Sequence, residues 1–127
     1  MTPPSSTVKW LAIAAILGTG LIHIVEAPDA FTEATYKGLL FVANGAGALV
    51  VAVGVHRDRP ALGWLLGLLV TGGSILAYVA SRTIGLPGIP AEPDAWLEPM
   101  GVASLVCEAL FVILFAMTRQ ARPASSR

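Results

Sequence analysis

Four long apolar stretches alternate with short polar ones along the chain, at about 8–25, 36–55, 61–83 and 98–117. Each has about the 20 residues that a helix needs to cross a hydrocarbon core of roughly 30 Å. Lipid cannot satisfy bare backbone groups, and the stretches lack the two-residue alternation of barrel strands, so helix is the form they predict. The pattern predicts an all-α protein, a four-helix transmembrane bundle over 8–117. A disordered N-terminal tail (1–7) and a basic cytoplasmic tail (118–127) flank it.

The connections differ in character. His56-Arg57-Asp58-Arg59-Pro60 reads as a tight turn, with Pro60 in the first turn of the third helix. Ala27 to Thr35, with Pro28 and Phe31, predicts a short helix lying in the outer interface. Ile84 to Leu97 carries Pro87, Pro90 and Pro93 with Gly85 and Gly88, which predicts a stiff, non-helical lid over the outer mouth.

Charge sets the expected orientation. Of the 8 Lys and Arg residues, Lys9, Arg57, Arg59, Arg119, Arg122 and Arg127 fall on one side, and Lys37 and Arg82 on the other. Basic residues stay in the cytoplasm, so both termini are expected there, in a bacterial inner membrane. Glu26, Asp29, Glu33, Glu92, Asp94 and Glu98 lie outside on this reading. Trp10 and Trp64 are expected at the inner interface, and Phe31, Tyr36 and Trp96 at the outer one. The first stretch is long for a signal-peptide core, and Ile22 to Glu26 lacks a small-x-small cleavage site, so it reads as a span.

Composition agrees. Apolar residues are 55% and charged residues 13% of the chain, about half the charged share of a soluble domain. Net charge is zero, which gives no basic field for nucleic acid. Cys107, the single cysteine, cannot form an intrachain disulfide and reads as a small buried or lipid-facing residue.

Polar residues inside the spans are the candidate chemistry, because at membrane depth they face the bundle interior. Thr19, His23 and Glu26 share one face of the first helix. Asn44 lies on the second with Leu40 and Gly47. Thr71, Ser74, Tyr78 and Arg82 form a stripe on the third, continued by Gly63 and Gly67. Glu98, Gly101, Leu105 and Glu108 fall on one side of the fourth. The expected ligand pocket is therefore His23, Glu26, Asn44, Ser74, Tyr78, Arg82, Glu98 and Glu108, a funnel open outward and closed at its base. Glu108 lies about 15 Å below Glu98, near the midplane. Two readings are open for it: a pocket group, or a protonated carboxyl acting as interhelical glue. Arg82 is expected to pair with Glu98 or Glu26 and hold the lid. His23, Glu26, Glu98 and Glu108 are metal-ligand types, but no HExxH or paired Glu-x-x-His pattern accompanies them.

Three segments, His23…Ala27-Pro28-Asp29-Ala30-Phe31, Ser81-Arg82-Thr83-Ile84-Gly85-Leu86-Pro87-Gly88 and Glu98-Pro99-Met100-Gly101…Ser104-Leu105…Glu108, resemble those of small four-helix integral membrane proteins of high-GC bacteria without an assigned activity. The resemblance covers most of the chain except the tails. It implies a bacterial inner-membrane setting and directs attention to these segments, and it implies no reaction. The acidic-His pair after the first helix in that group is Asp29-Ala30 here, without its histidine.

Two functions follow from the residues. One is binding of an ion, or of a small lipophilic molecule such as a quinone, in the outward pocket. The alternative is a structural or accessory subunit, in a homo-oligomer or larger membrane complex, with Gly63 and Gly67 against the partner. No nucleophile-base arrangement is present, His23 with Glu26 being at most an acid-base pair, and no cofactor is strongly implied.

Overall fold

In the computed structural model, which describes residues 4–120, the chain forms α1 (Ser6–Glu33), α2 (Thr35–His56), α3 (Leu66–Thr83) and α4 (Pro99–Gln120). A π-helical turn, Ala61–Leu65, runs directly into α3, so the third apolar stretch is helical from Ala61 to Thr83. All four helices are long and apolar enough to cross a membrane. Residues 1–3 and 121–127, including Arg122 and Arg127, lie outside the described residues, while of the expected tails Ser6 and Thr7 belong to α1 and residues 118–120 to α4. Ser5 caps α1 by accepting a hydrogen bond from Val8 N at 3.2 Å.

The α1–α2 and α3–α4 connections meet at one end of the bundle, where Tyr36 Oη donates to Pro87 O at 2.6 Å. This acidic end carries Glu26, Asp29, Glu33, Glu92, Asp94 and Glu98. At the opposite, basic end, Lys9 Nζ joins the start of α1 to the α2–α3 turn through His56 O at 3.0 Å and Asp58 at 3.2 Å.

Contrary to the sequence expectation, the segment after Glu26 is not a separate interfacial helix. It continues α1 without a break. Pro28 removes one helical donor, leaving the Ile24 carbonyl without its partner. Tertiary contacts offset that loss. Ala27 and Ala30 are buried, and the Phe31 ring lies over Gly38 of α2, where a side chain would collide with it. A single extended residue, Ala34, joins the two helices, and Lys37 and Glu33 bridge the joint at 2.5 Å. With 28 residues, α1 is about 42 Å long, longer than a hydrocarbon core of roughly 30 Å.

The proline-rich connection is ordered by its own turn. Leu86 and Ile89 exchange hydrogen bonds of 3.0 and 2.8 Å. Gly88 between them has φ 72°, as the third residue of a type II turn requires. A short 3-10 turn, Pro93–Ala95, follows, so the connection is not wholly non-helical.

The apolar core fills the basic half. Ile16, Val51, Val55, Trp64 and Phe111 are each at most 2% exposed. Large apolar side chains such as Leu21, Leu49, Leu69 and Leu76 point outward, as a lipid-facing surface requires. Trp64 departs from expectation here. It is not an interfacial anchor but a core residue, with its ring 5.4 Å from that of Phe111 and 6.4 Å from that of Phe115. Gly63 and Gly67 make close helix contacts within the bundle. A Cβ on Gly63 would meet Val55 N at 2.7 Å, and one on Gly67 would strike the Phe111 ring. Both glycines are thus occupied by the protein's own helices.

Candidate functional site

Above that core, the acidic half of the bundle encloses a half-open cavity of about 760 Å³. All four helices and the proline-rich connection line it. The eight residues expected from the sequence, His23, Glu26, Asn44, Ser74, Tyr78, Arg82, Glu98 and Glu108, all reach its wall. Apolar surface between them comes from Ile22, Leu40, Phe41 and Val70, and small residues widen the space at Ala43, Gly73 and Ala77. A Cβ on Gly73 would have no heavy atom within 4 Å.

Glu108 forms the base and is 1% exposed. Its Oε2 accepts hydrogen bonds from Thr19 Oγ1 at 2.8 Å and Ser104 Oγ at 2.9 Å, and the two hydroxyls lie 2.9 Å apart. The cluster ties α1 to α4. Within 3.5 Å no described residue donates to Oε1, although the Ser74 hydroxyl of α3 lies beside the carboxyl. Oε2 thus carries the link in the fold, and Oε1 is the less engaged oxygen.

One turn above Thr19, His23 Nδ1 lies 2.8 Å from the Thr19 carbonyl oxygen. A carbonyl only accepts, so Nδ1 carries the hydrogen, and Nε2 of the neutral ring is an acceptor. The Phe41 ring holds the imidazole from α2 at a centroid distance of 4.8 Å. On the far wall, Asn44 Nδ2 donates to Ser74 Oγ at 2.7 Å, joining α2 to α3. Asn44 Oδ1 is buried and has no partner among the described residues.

Arg82 does not pair with a carboxylate as expected. Its Nε and Nη2 donate to Ala95 O at 3.3 and 3.2 Å, and Nη1 donates to Ser81 Oγ at 2.8 Å. The guanidinium stacks 3.9 Å from the Tyr78 ring centroid. Glu98 is engaged elsewhere. Its carboxylate caps α4, accepting from Gly101 N at 2.6 Å and Met100 N at 3.2 Å, two of the donors a helix start leaves open. Arg82 still fastens the connection, but through a backbone carbonyl. Tyr78 Oη adds a bond to Trp96 O at 2.7 Å. Arg82→Gln is expected to release this clamp and raise amide hydrogen exchange across residues 84–97 roughly tenfold, the loss of about one charged hydrogen bond. Unchanged exchange there would show that Tyr36, Tyr78 and the Glu92–Ser81 backbone bond hold the segment alone.

Among the described residues, no three His, Cys, Asp or Glu side chains come close enough together to hold a metal ion. The four metal-ligand types therefore line one cavity without forming a cluster. Sequence reasoning passed over Ser104 as a site residue, although its position one turn before Glu108 signals a contact. It also passed over Phe41 and Gly73, which have no chemical signature and reach the cavity only through the way the helices pack.

No family model, curated protein or solved structure matches the chain.

Proposed function

We propose that the chain is a multi-pass membrane protein that binds a small lipophilic molecule with a neutral or cationic head in the cavity at its acidic end. That end faces away from the cytoplasm, and both termini lie inside, in a bacterial inner membrane of the kind the sequence resemblance implies. The orientation is supported by the distribution of Lys and Arg. The cavity itself carries the reading: its volume of about 760 Å³ lies within the range of small-molecule sites. Apolar walls surround a few fixed polar groups, the pattern by which such sites orient a ligand. Charge narrows the ligand. Glu26, Asp29, Glu33, Glu92, Glu98 and Glu108 line the space, against Lys37 and Arg82. An organic anion meets an excess of carboxylates there.

Tetraphenylphosphonium and tetraphenylborate are lipophilic ions of one shape and opposite charge, so they separate charge from bulk. The cation is expected to raise the unfolding midpoint in mild detergent, and the borate is not. Gly73→Leu fills the cavity from a position with open space, so it is expected to fold normally and lose the response. Equal shifts with both ions, or an undiminished response in a folded Gly73→Leu protein, would refute the reading.

The accessory-subunit reading, drawn from small size, glycine-rich helices and the lack of a catalytic constellation, placed Gly63 and Gly67 against a partner. Both glycines pack inside the bundle, so a partner would have to use another surface.

A further inference from the structure

At the basic end, away from the polar cavity, α2 and the π-helical turn border a groove of about 420 Å³. Its wall is Leu49, Val50, Val53 and Leu62, and its lip carries Arg57 and Arg59. All four apolar side chains are largely exposed, Leu49 the most at 63%. Neither guanidinium makes an ion pair or hydrogen bond among the described residues. The carboxylate between them, Asp58, is held instead by Lys9 from α1, at 3.2 Å. Two positive charges therefore stand uncompensated at the mouth of an apolar trough.

We propose that this groove binds a phospholipid with an anionic headgroup. The phosphate sits at Arg57 and Arg59, and an acyl chain lies along Leu49, Val50 and Val53. From Arg57 back to Leu49 is eight residues of sequence, about 12 Å along the helix axis, a course that starts at the interface and enters the hydrocarbon. Guanidinium groups suit phosphate oxygens, which they bind in pairs of parallel hydrogen bonds. A free phosphate would satisfy only the lip. An uncharged lipid would satisfy only the wall. An anionic phospholipid alone complements both, and basic sites at this level of a membrane bundle are where such headgroups collect. The site is independent of the cavity at the other end, so either can fail without the other.

The test is native mass spectrometry of the protein in mild detergent with equimolar phosphatidylglycerol and phosphatidylcholine of matched chains. Phosphatidylglycerol is expected to be retained about tenfold or more over phosphatidylcholine, since each Arg near the surface contributes several-fold. The R57Q/R59Q double variant is expected to bring the two lipids to parity. R119Q removes a charge at the same end that stacks over Phe115, off the groove, and is expected to keep the preference. Val53→Trp, which fills the trough and leaves both arginines, is expected to lower retention of phosphatidylglycerol. Equal retention of the two lipids by the native chain would overturn the proposal. So would a loss in R119Q as large as in R57Q/R59Q, which would reveal a diffuse field. Competition by soluble glycerol phosphate as strong as by the intact lipid would also overturn it, by showing that the trough plays no part.

Discussion

Glu108→Gln is expected to leave the protein folded with at most about 1 kcal/mol lost, while cutting the response to tetraphenylphosphonium about tenfold or more. On the proposed function the two oxygens of Glu108 do different work, and the amide separates them. A glutamine carbonyl still accepts from Thr19 and Ser104, which hold Oε2 at 2.8 and 2.9 Å. The α1–α4 link therefore survives. The amide nitrogen then takes the place of Oε1 and turns an acceptor at the cavity base into a donor, which repels a cationic or donor head. Glu108→Ala removes both functions. Interhelical hydrogen bonds in membrane bundles are worth about 0.6 kcal/mol on average and rarely above 1.7. Losing two therefore weakens the fold by about 1–2 kcal/mol, lessened because Thr19 and Ser104 still bond each other at 2.9 Å. Unfolding in mixed micelles measures one effect and ligand-induced stabilisation the other. Pure interhelical glue gives the same order of stabilities but the opposite ligand result: both variants keep the full response.

The sequence made parts of this arrangement legible for a simple reason: helical spacing fixes which residues share a face before any packing is known. Thr19 and His23, four apart, do meet, and the eight polar positions all line one space. What stayed hidden depends on partners that spacing does not specify. Arg82 found a backbone carbonyl, that of Ala95, and carbonyls have no letter in a sequence. Charge counting alone matched it to the nearby acids. Glu98 looked like one of those partners because it is acidic. Its place just before Pro99, at the start of an apolar run, marks it equally as a cap for the donors that follow, and the structure uses it that way. The continuation of α1 past Pro28 was hidden for the same reason. A proline and several acids argue locally for a break. What overrides them is a ring on α1 fitting over a glycine on α2, a contact between Phe31 and Gly38 that no window of sequence contains. Trp64 was misjudged as an anchor because an amphipathic ring suits an interface wherever one is offered. Close approach of the two backbones at Gly54 and Gly63 places the third helix hard against α2, and the indole ends in the core.

That close approach carries the second large effect. Gly63→Ala is expected to destabilise the bundle by about 3 kcal/mol, the upper part of the range for overpacked cores. The added methyl would lie 2.7 Å from Val55 N and 2.9 Å from Gly54 C, and backbone atoms in a helix cannot step aside singly. Gly54→Ala meets the same obstacle from the other side, with Leu62 C at 2.6 Å and Leu62 O at 2.8 Å, and is expected to match it. Gly67→Ala should fall lower, at roughly 2 kcal/mol, because the obstacle is the Phe111 ring, and a side chain repacks more readily than a backbone. Gly73→Ala sets the zero of the series. Its methyl meets nothing within 4 Å, and alanine is the better helix former by up to about 1 kcal/mol, so this variant should be neutral or slightly more stable. The order 63 and 54, then 67, then 73, measured by reversible unfolding in micelles, tests whether these glycines serve the chain's own packing. If they served a partner chain instead, Gly63→Ala would leave the monomer as stable as the native protein and lower only the yield of a larger assembly. A Gly63→Ala protein as stable as Gly73→Ala would therefore restore the accessory-subunit reading at the cost of this packing scheme.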